Sequence, residues 1–189
     1  MYGPELARCR LCSLFKEAQK AVPGTGNELA EIMLIGEAPG REEDRVGIPF
    51  VGRSGKVLDR ALLAAGLNRE TVYITNIIKH RPPNNRRPYN KEIRACSRYI
   101  DREISSIGPK YILTLGSTAL QYFLPGVKMR DVAGHVFKWQ KIDIVPTYHP
   151  AAVLRNPKLE EKLLEAMVLV ASLALHNPVA ASKQAVRAI

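Results

Sequence analysis

Cys9-x2-Cys12 places two thiolates on one turn of chain, and two further soft or borderline donors follow: His80, in the loop "NIIKHRPPNNRR", and Cys96, with fifteen residues between them. Three thiolates and an imidazole, arriving as two pairs, are the donor set of a closed tetrahedral site. Zinc and an iron–sulfur cluster both suit such donors. The alternative is a surface His80 and a Cys96 packed as a small hydrophobe. An Asn- and Pro-rich loop is a poor core position, which favours ligation. Three cysteines, two of them in a CxxC pair, do not form a secreted disulfide framework.

Three more stretches carry chemistry. "GEAPGREED" sets Glu37, Glu42, Glu43 and Asp44 directly after an apolar run. Acids there can activate water, or can be a solvated charge run. "TYHPAAVLRNP" puts His149 before a proline, and a histidine at a strand end can donate to developing negative charge. Beyond it, Leu154 beside Arg155 has the pattern of an apolar wedge entering a base stack while a phosphate is held; a core leucine is the plain alternative. "GIPFVGRS" has P-loop glycine spacing, but Arg53 stands where lysine is required, no strand precedes it, and Pro49 and Phe50 fill its interior, which excludes nucleoside triphosphate binding. Phe50 is read either as a stacking platform for a base or as a core residue.

These groups need a frame that brings them together. "AEIMLIGEAPG", "TVYITNIIK", "PKYILTLG" and "KIDIVPTYHP" read as four strands, the first stopping near Gly36. "GKVLDRALLAAGL", "NKEIRACSRYIDREISSIG", "STALQYFL" and "PKLEEKLLEAMVLVASLALH" read as helices between and after them, with Asn90 and Gly108 bounding the second and Pro157 suited to the first turn of the last. Alternating strands and helices predict an α/β fold with a mostly parallel sheet covered on both faces. "GEAPGREED", "TN…HRPPNNR", "LGS" and "HPAAVLRNP" each follow a strand, so all four emerge at the carboxyl edge, where such sheets bind ligands.

The chain has 189 residues, a formal charge of +10 and a pI near 9.7. A basic globular protein of this kind suggests a polyanionic partner, with nucleic acid foremost. The stretch "MYGPELARCRLC" lacks the apolar region of a signal peptide. The apolar run "AMVLVASLAL" is too short to span a bilayer. A cytoplasmic protein with no membrane partner is expected. The chain is read as one domain over 1–189, with 1–20 as a metal-binding segment and 178–189 as a mobile tail.

Taken together, "GEAPG" with its following "ED", "PFVGRSG", "TN…RPPNNR" and "HPAAVLR" resemble the uracil-DNA glycosylase superfamily, and most of all its family 4, from thermophilic bacteria and archaea. The resemblance runs from about Cys9 to Pro157. It implies a three-layer α/β/α sandwich around a four-stranded parallel sheet. It also implies a [4Fe–4S] cluster, with zinc as the alternative, held by Cys9, Cys12, His80 and Cys96; His80 stands where the family usually carries cysteine. A mixed ligand set removes one negative charge, which should raise the reduction potential. The implied activity is removal of uracil from single- or double-stranded DNA by a monomer that flips its base, as glycosylases do.

By the same resemblance, His149 donates to uracil O2 and Glu43 handles the water, since Ala38 replaces the aspartate of the best-known family. Glu37, Ala38, Gly40, Phe50 and Asn76 line the uracil pocket, with Asn76 matching the N3–H and O4 edge. Ser54, Gly55, Arg81, Asn85, Arg86, Leu154 and Arg155 meet DNA. Two rival readings are a non-catalytic nucleic-acid-binding domain with a structural metal, and a family 5 type glycosylase with broader deaminated-base specificity. Family 5 members usually lack the motif glutamate, so Glu37 speaks against the latter.

Overall fold

Ile32–Gly36 (β2), Tyr73–Asn76 (β3), Tyr111–Leu115 (β4) and Ile142–Thr147 (β6) are the four long strands, and they run parallel. In the computed structural model, which describes residues 4–175, they are joined by Thr25–Gly26 (β1) and Phe137–Trp139 (β5) in one sheet of order β1-β3-β2-β4-β6-β5. The expectation of four strands is thus corrected to six. The two additional strands are antiparallel edges, paired with β3 and β6 respectively. Each is too short to carry a period-2 pattern, and "PGTGN" reads as a turn. The proposed tail, 178–189, lies outside the described residues.

The parallel strands are buried on both faces, which explains their near-continuous apolar sequence. Alternation along β2 divides the core. Ile32 and Leu34 face one layer with Arg53–Ala64 (α3), Pro150–Val153 (α7) and Leu159–Leu175 (α8). Met33 and Ile35 face the other, with Pro4–Ala7 (α1), Asn90–Ile107 (α4) and Ser117–Phe123 (α5). This is the three-layer α/β/α sandwich. Two short helices, Arg41–Val46 (α2) and Met129–Val132 (α6), sit in the connections. Among the described residues no helix is long and apolar enough to cross a membrane.

Helix ends follow side-chain chemistry. In α4 the cap is Tyr89, not Asn90: Glu92 reaches back to accept the Tyr89 N–H at 2.7 Å, and Gly108 closes the helix at φ 61°. The buried stripe of α4 runs Cys96, Tyr99, Ile100, Glu103, Ile104, Ile107, at helical spacing. Two charged residues are buried with it: Glu92 in the first turn, which serves the cap, and Glu103 within the stripe.

Candidate active site

The carboxyl ends of β2, β3, β4 and β6 open into one cleft of about 630 Å³. Glu37, Ala38, Pro39 and Gly40 enter from β2, Asn76 from β3, Gly116–Thr118 from β4, and Tyr148 and His149 from β6. Phe50 and Ser54 close one side, while Asn85, Arg86, Arg87 and Arg155 form a basic rim.

His149 is fixed from three sides. Its Nδ1 accepts the Ala151 N–H at 3.0 Å. That acceptor role places the ring proton on Nε2 in the neutral tautomer. The Phe50 ring stacks on it, with centroids 5.6 Å apart and planes at 27°. Gly116, at φ 92°, passes so near that an added Cβ would sit 2.9 Å from His149 Cβ. Burial, and secondarily the Arg155 charge, lowers the imidazole pKa to about 4. The ring is therefore neutral at ordinary pH and offers one N–H donor.

Phe50 is 4% exposed and belongs to the core, yet it also walls the cleft, so the two readings of this residue coexist. Its φ of 54° is uncommon for a bulky side chain. Arg69 secures the loop: its guanidinium donates to the Pro49 and Phe50 carbonyls and pairs with Asp59 at 2.7 Å. Gly55 permits the turn, because a Cβ there would meet the Phe50 carbonyl oxygen at 1.8 Å. Gly55 is buried and does not line the cleft; Ser54 does.

Asn76 is 2% exposed, and its Oδ1 has no hydrogen-bond partner among the described residues. A buried acceptor left open costs about 1–3 kcal/mol, a cost recovered when a donor arrives. A Cβ at Gly36 would touch both this Oδ1, at 2.4 Å, and Phe50 Cζ, at 2.5 Å. Glycine at the end of β2 is thus what lets the amide and the ring share the pocket.

The two glutamates differ. Glu37 accepts the Thr118 hydroxyl at the cleft wall. Glu43 is buried in α2 and ties two loops together, its carboxylate accepting Gly40 N–H at 3.1 Å and Gly52 N–H at 2.8 Å. Each carboxylate oxygen retains a lone pair beyond those bonds. Glu42 is exposed and paired with Arg45; Asp44 turns away from the cleft to accept Gln19 N–H at 2.9 Å.

On the rim, Asn84 and Asn85 adopt φ of 51° and 54°, the left-handed region that asparagine tolerates, which accounts for "PPNN". Asn85 Oδ1 accepts from Arg81 Nε at 2.7 Å, and Arg81 does not itself line the cleft. Arg86 reaches the cleft, but its fork is held by Glu92 at 2.7 and 2.9 Å and lies 3.8 Å over the Tyr89 ring. Arg87, exposed at the same rim, was not singled out from the sequence, because a loop has no period to tell which of two arginines faces the ligand. Leu154 is 42% exposed at the tip of α7 and is not a core leucine; Arg155 lines the cleft.

The candidate metal ligands do not line the cleft. Cys9 and Cys12 are half-buried against the cluster that contains Cys96. Burial, with the Cys12 and Cys9 charges adding to it, pushes the Cys96 thiol up to about 11. Burial likewise raises the Cys12 thiol. His80 is 6% exposed and shares a second cavity with Cys9; burial lowers its pKa against the opposing Asp44 charge. The Lys79 peptide N–H donates to Cys96 Sγ at 3.3 Å. Among the described residues no three His, Cys, Asp or Glu side chains are close enough to grip one metal ion.

Comparison with known proteins agrees with this geometry. Residues 23–169 match the family model described as Uracil DNA glycosylase superfamily. The chain is 47% identical over 175 residues to a Type-4 uracil-DNA glycosylase of Saccharolobus solfataricus, covering 87% of this chain and 81% of that protein. It is 46% identical over 167 residues to the Type-4 enzyme of Archaeoglobus fulgidus, covering 84% of each. It is 44% identical over 181 residues to that of Sulfurisphaera tokodaii, covering 90% of this chain and 82% of the relative.

Proposed function

Because this chain belongs to the uracil-DNA glycosylase superfamily, we propose that it is a DNA-repair glycosylase that hydrolyses the N-glycosidic bond of a flipped-out uracil. It releases free uracil and leaves an abasic site. The observation that carries this reading is a neutral His149 donor beside an unpaired Asn76 acceptor in one cleft.

Breaking N1–C1′ sends the electron pair to uracil, mainly to O2, and leaves positive charge on the sugar. The His149 Nε2–H donates to O2 as that charge develops, which lowers the barrier most in the transition state. Asn76 Oδ1 accepts the uracil N3–H and its amide N–H donates to O4. Cytosine presents the reverse pattern and would leave buried groups unpaired. Phe50 backs the ring. DNA phosphates steady the sugar cation. Water then adds to C1′, and its proton passes to Glu43, which lines the cleft, before leaving to solvent or to the uracil anion. Glu37, with Ala38 and Gly40, shapes the pocket. Ser54, Asn85, Arg87 and Arg155 take the DNA backbone at the basic rim, Arg81 holds Asn85, and exposed Leu154 enters the space vacated by the base. One chain contains every group invoked, which supports a monomer.

A [4Fe–4S] cluster held by Cys9, Cys12, Cys96 and His80 completes the reading. What supports it is that Cys9 and Cys12 pack against the cluster that contains Cys96, and that His80 shares a cavity with Cys9; these are the residues that would hold the group. Its role here is to tie the N-terminal arm to the loop before "RPP" and to α4.

The test is single-turnover release of uracil from a uracil-containing oligonucleotide, with cytosine and thymine strands as controls. Binding without release would favour the non-catalytic alternative and overturn this reading.

A further inference from the structure

We propose that Lys79 is a positioning residue for Asn76, its buried ammonium holding the Asn76 backbone carbonyl so that the carboxamide keeps its edge in the cleft. The inference rests on the reading of Asn76 as the group that reads the base.

Lys79 and Glu103 are both 0% exposed. Lys79 Nζ donates to Glu103 Oε2 at 2.7 Å, Thr75 Oγ1 at 2.7 Å and Asn76 O at 2.8 Å, so all three of its protons are used. Glu103 accepts in addition from Thr75 Oγ1 at 2.8 Å and Gly24 N–H at 3.0 Å. A buried ion pair is a poor source of stability, since well-packed apolar residues of similar volume often serve as well or better. What an apolar side chain cannot do is grip a carbonyl. Asn76 is the last residue of β3, paired in register with Gly36, and the chain bends away immediately after it. Beyond Asn76, Ile77 N–H still donates to Gly36 O and Ile78 N–H to Glu37 O, both at 3.0 Å, and the ammonium holds the carbonyl of the Asn76–Ile77 peptide, the side that those bonds do not grip. An orphan Oδ1 tolerates no drift if it is to meet one N–H.

The opposite end of Lys79 touches the other site. Its peptide N–H donates to Cys96 Sγ, and its carbonyl accepts from Val22 N–H at 2.7 Å. A side-chain substitution leaves those main-chain bonds in place, so it isolates the pocket end of the residue.

The experiment is a double-mutant cycle on single-turnover uracil release by the full chain with its metal site loaded. The background is Lys79→Met with Glu103→Gln, which removes both charges; the Gln carbonyl oxygen keeps an acceptor for Gly24 N–H, and its NH2 can donate to the Thr75 Oγ1 that Lys79 no longer occupies. In the parent, Asn76→Ala should lower the rate about 10- to 100-fold. In the background it should cost less than about threefold, because the carboxamide is already misaligned. The uracil-to-cytosine preference should fall in the background, and thermal unfolding should stay cooperative. An equal cost of Asn76→Ala in both backgrounds overturns the proposal. If the double substitution does not fold, Glu103→Asp decides the matter: it keeps both charges, draws Lys79 away from Asn76, and is read by the same cycle. A parent that releases no uracil would instead sink the glycosylase reading itself.

Discussion

Phe50 and His149 stack face to face, 5.6 Å between ring centroids and 27° between planes. The contact joins the loop before α3 to the end of β6, and it removes one face of the imidazole from water. Desolvation of that ring disfavours its cation, so the residue that walls the pocket also helps to keep the proposed donor neutral.

His149→Ala should retain binding to uracil-containing DNA while single-turnover cleavage falls about 10²–10³-fold, because the lost hydrogen bond strengthens only as charge reaches O2. Rates at saturating enzyme measure this. An unchanged rate would remove His149 from the mechanism.

The pH dependence follows from the lowered His149 pKa. The folded value, about 4, lies below the ordinary histidine value of 6.5, so between them the unfolded chain binds more protons. Stability from this group is complete above about pH 6.5 and declines as pH falls toward 4. Cleavage should show no His149 titration near 6.5, and its acid limb should fall near 4. A pH–rate profile with a histidine limb at 6.5 that His149→Ala abolishes would contradict the geometry.

Asn76→Asp should move preference toward cytosine and lower overall activity, since a carboxylate accepts from the cytosine amino group. Competition between uracil and cytosine strands reads the ratio. Parental uracil cleavage with no cytosine release would dismiss the edge-reading role.

Gly36→Ala should lower cleavage at least tenfold with little loss of secondary structure. The added methyl meets Asn76 Oδ1 and Phe50 Cζ inside normal contact distance, so both must shift. Circular dichroism with cleavage rates checks this, and a fully active variant would mean that the pocket adapts freely.

His80→Ala, prepared without oxygen, should hold less iron and lose it faster in air, while His80→Cys should hold four irons at a lower potential. Iron and sulfide per chain, with the visible spectrum, provide the readout. Asp44 still anchors the arm at Gln19, and Val22 at Lys79, so the loop carrying Asn85 should loosen before the uracil pocket does. Equally durable clusters in parent and His80→Ala would show that His80 is no ligand.

The α/β sandwich was legible because its determinants are local. Apolar runs ending in glycine define β2 and β4, a β-branched run defines β3, and the 3.6-residue stripe of α4 declares its buried face. From strand ends alone one could assign "GEAPG", Asn76 and His149 to a single edge. The two edge strands escaped, being two and three residues long with no pattern to read. The lowered pKa of His149, the double commitment of Glu43 and the capture of Arg86 by Glu92 were settled by tertiary structure, since each depends on which distant atoms arrive nearby. Glu103 left a trace, a charge on an apolar stripe, but its partner was hidden because Lys79 sits in a different element. Sequence periodicity reports which side of an element is buried; it carries no record of what that side meets.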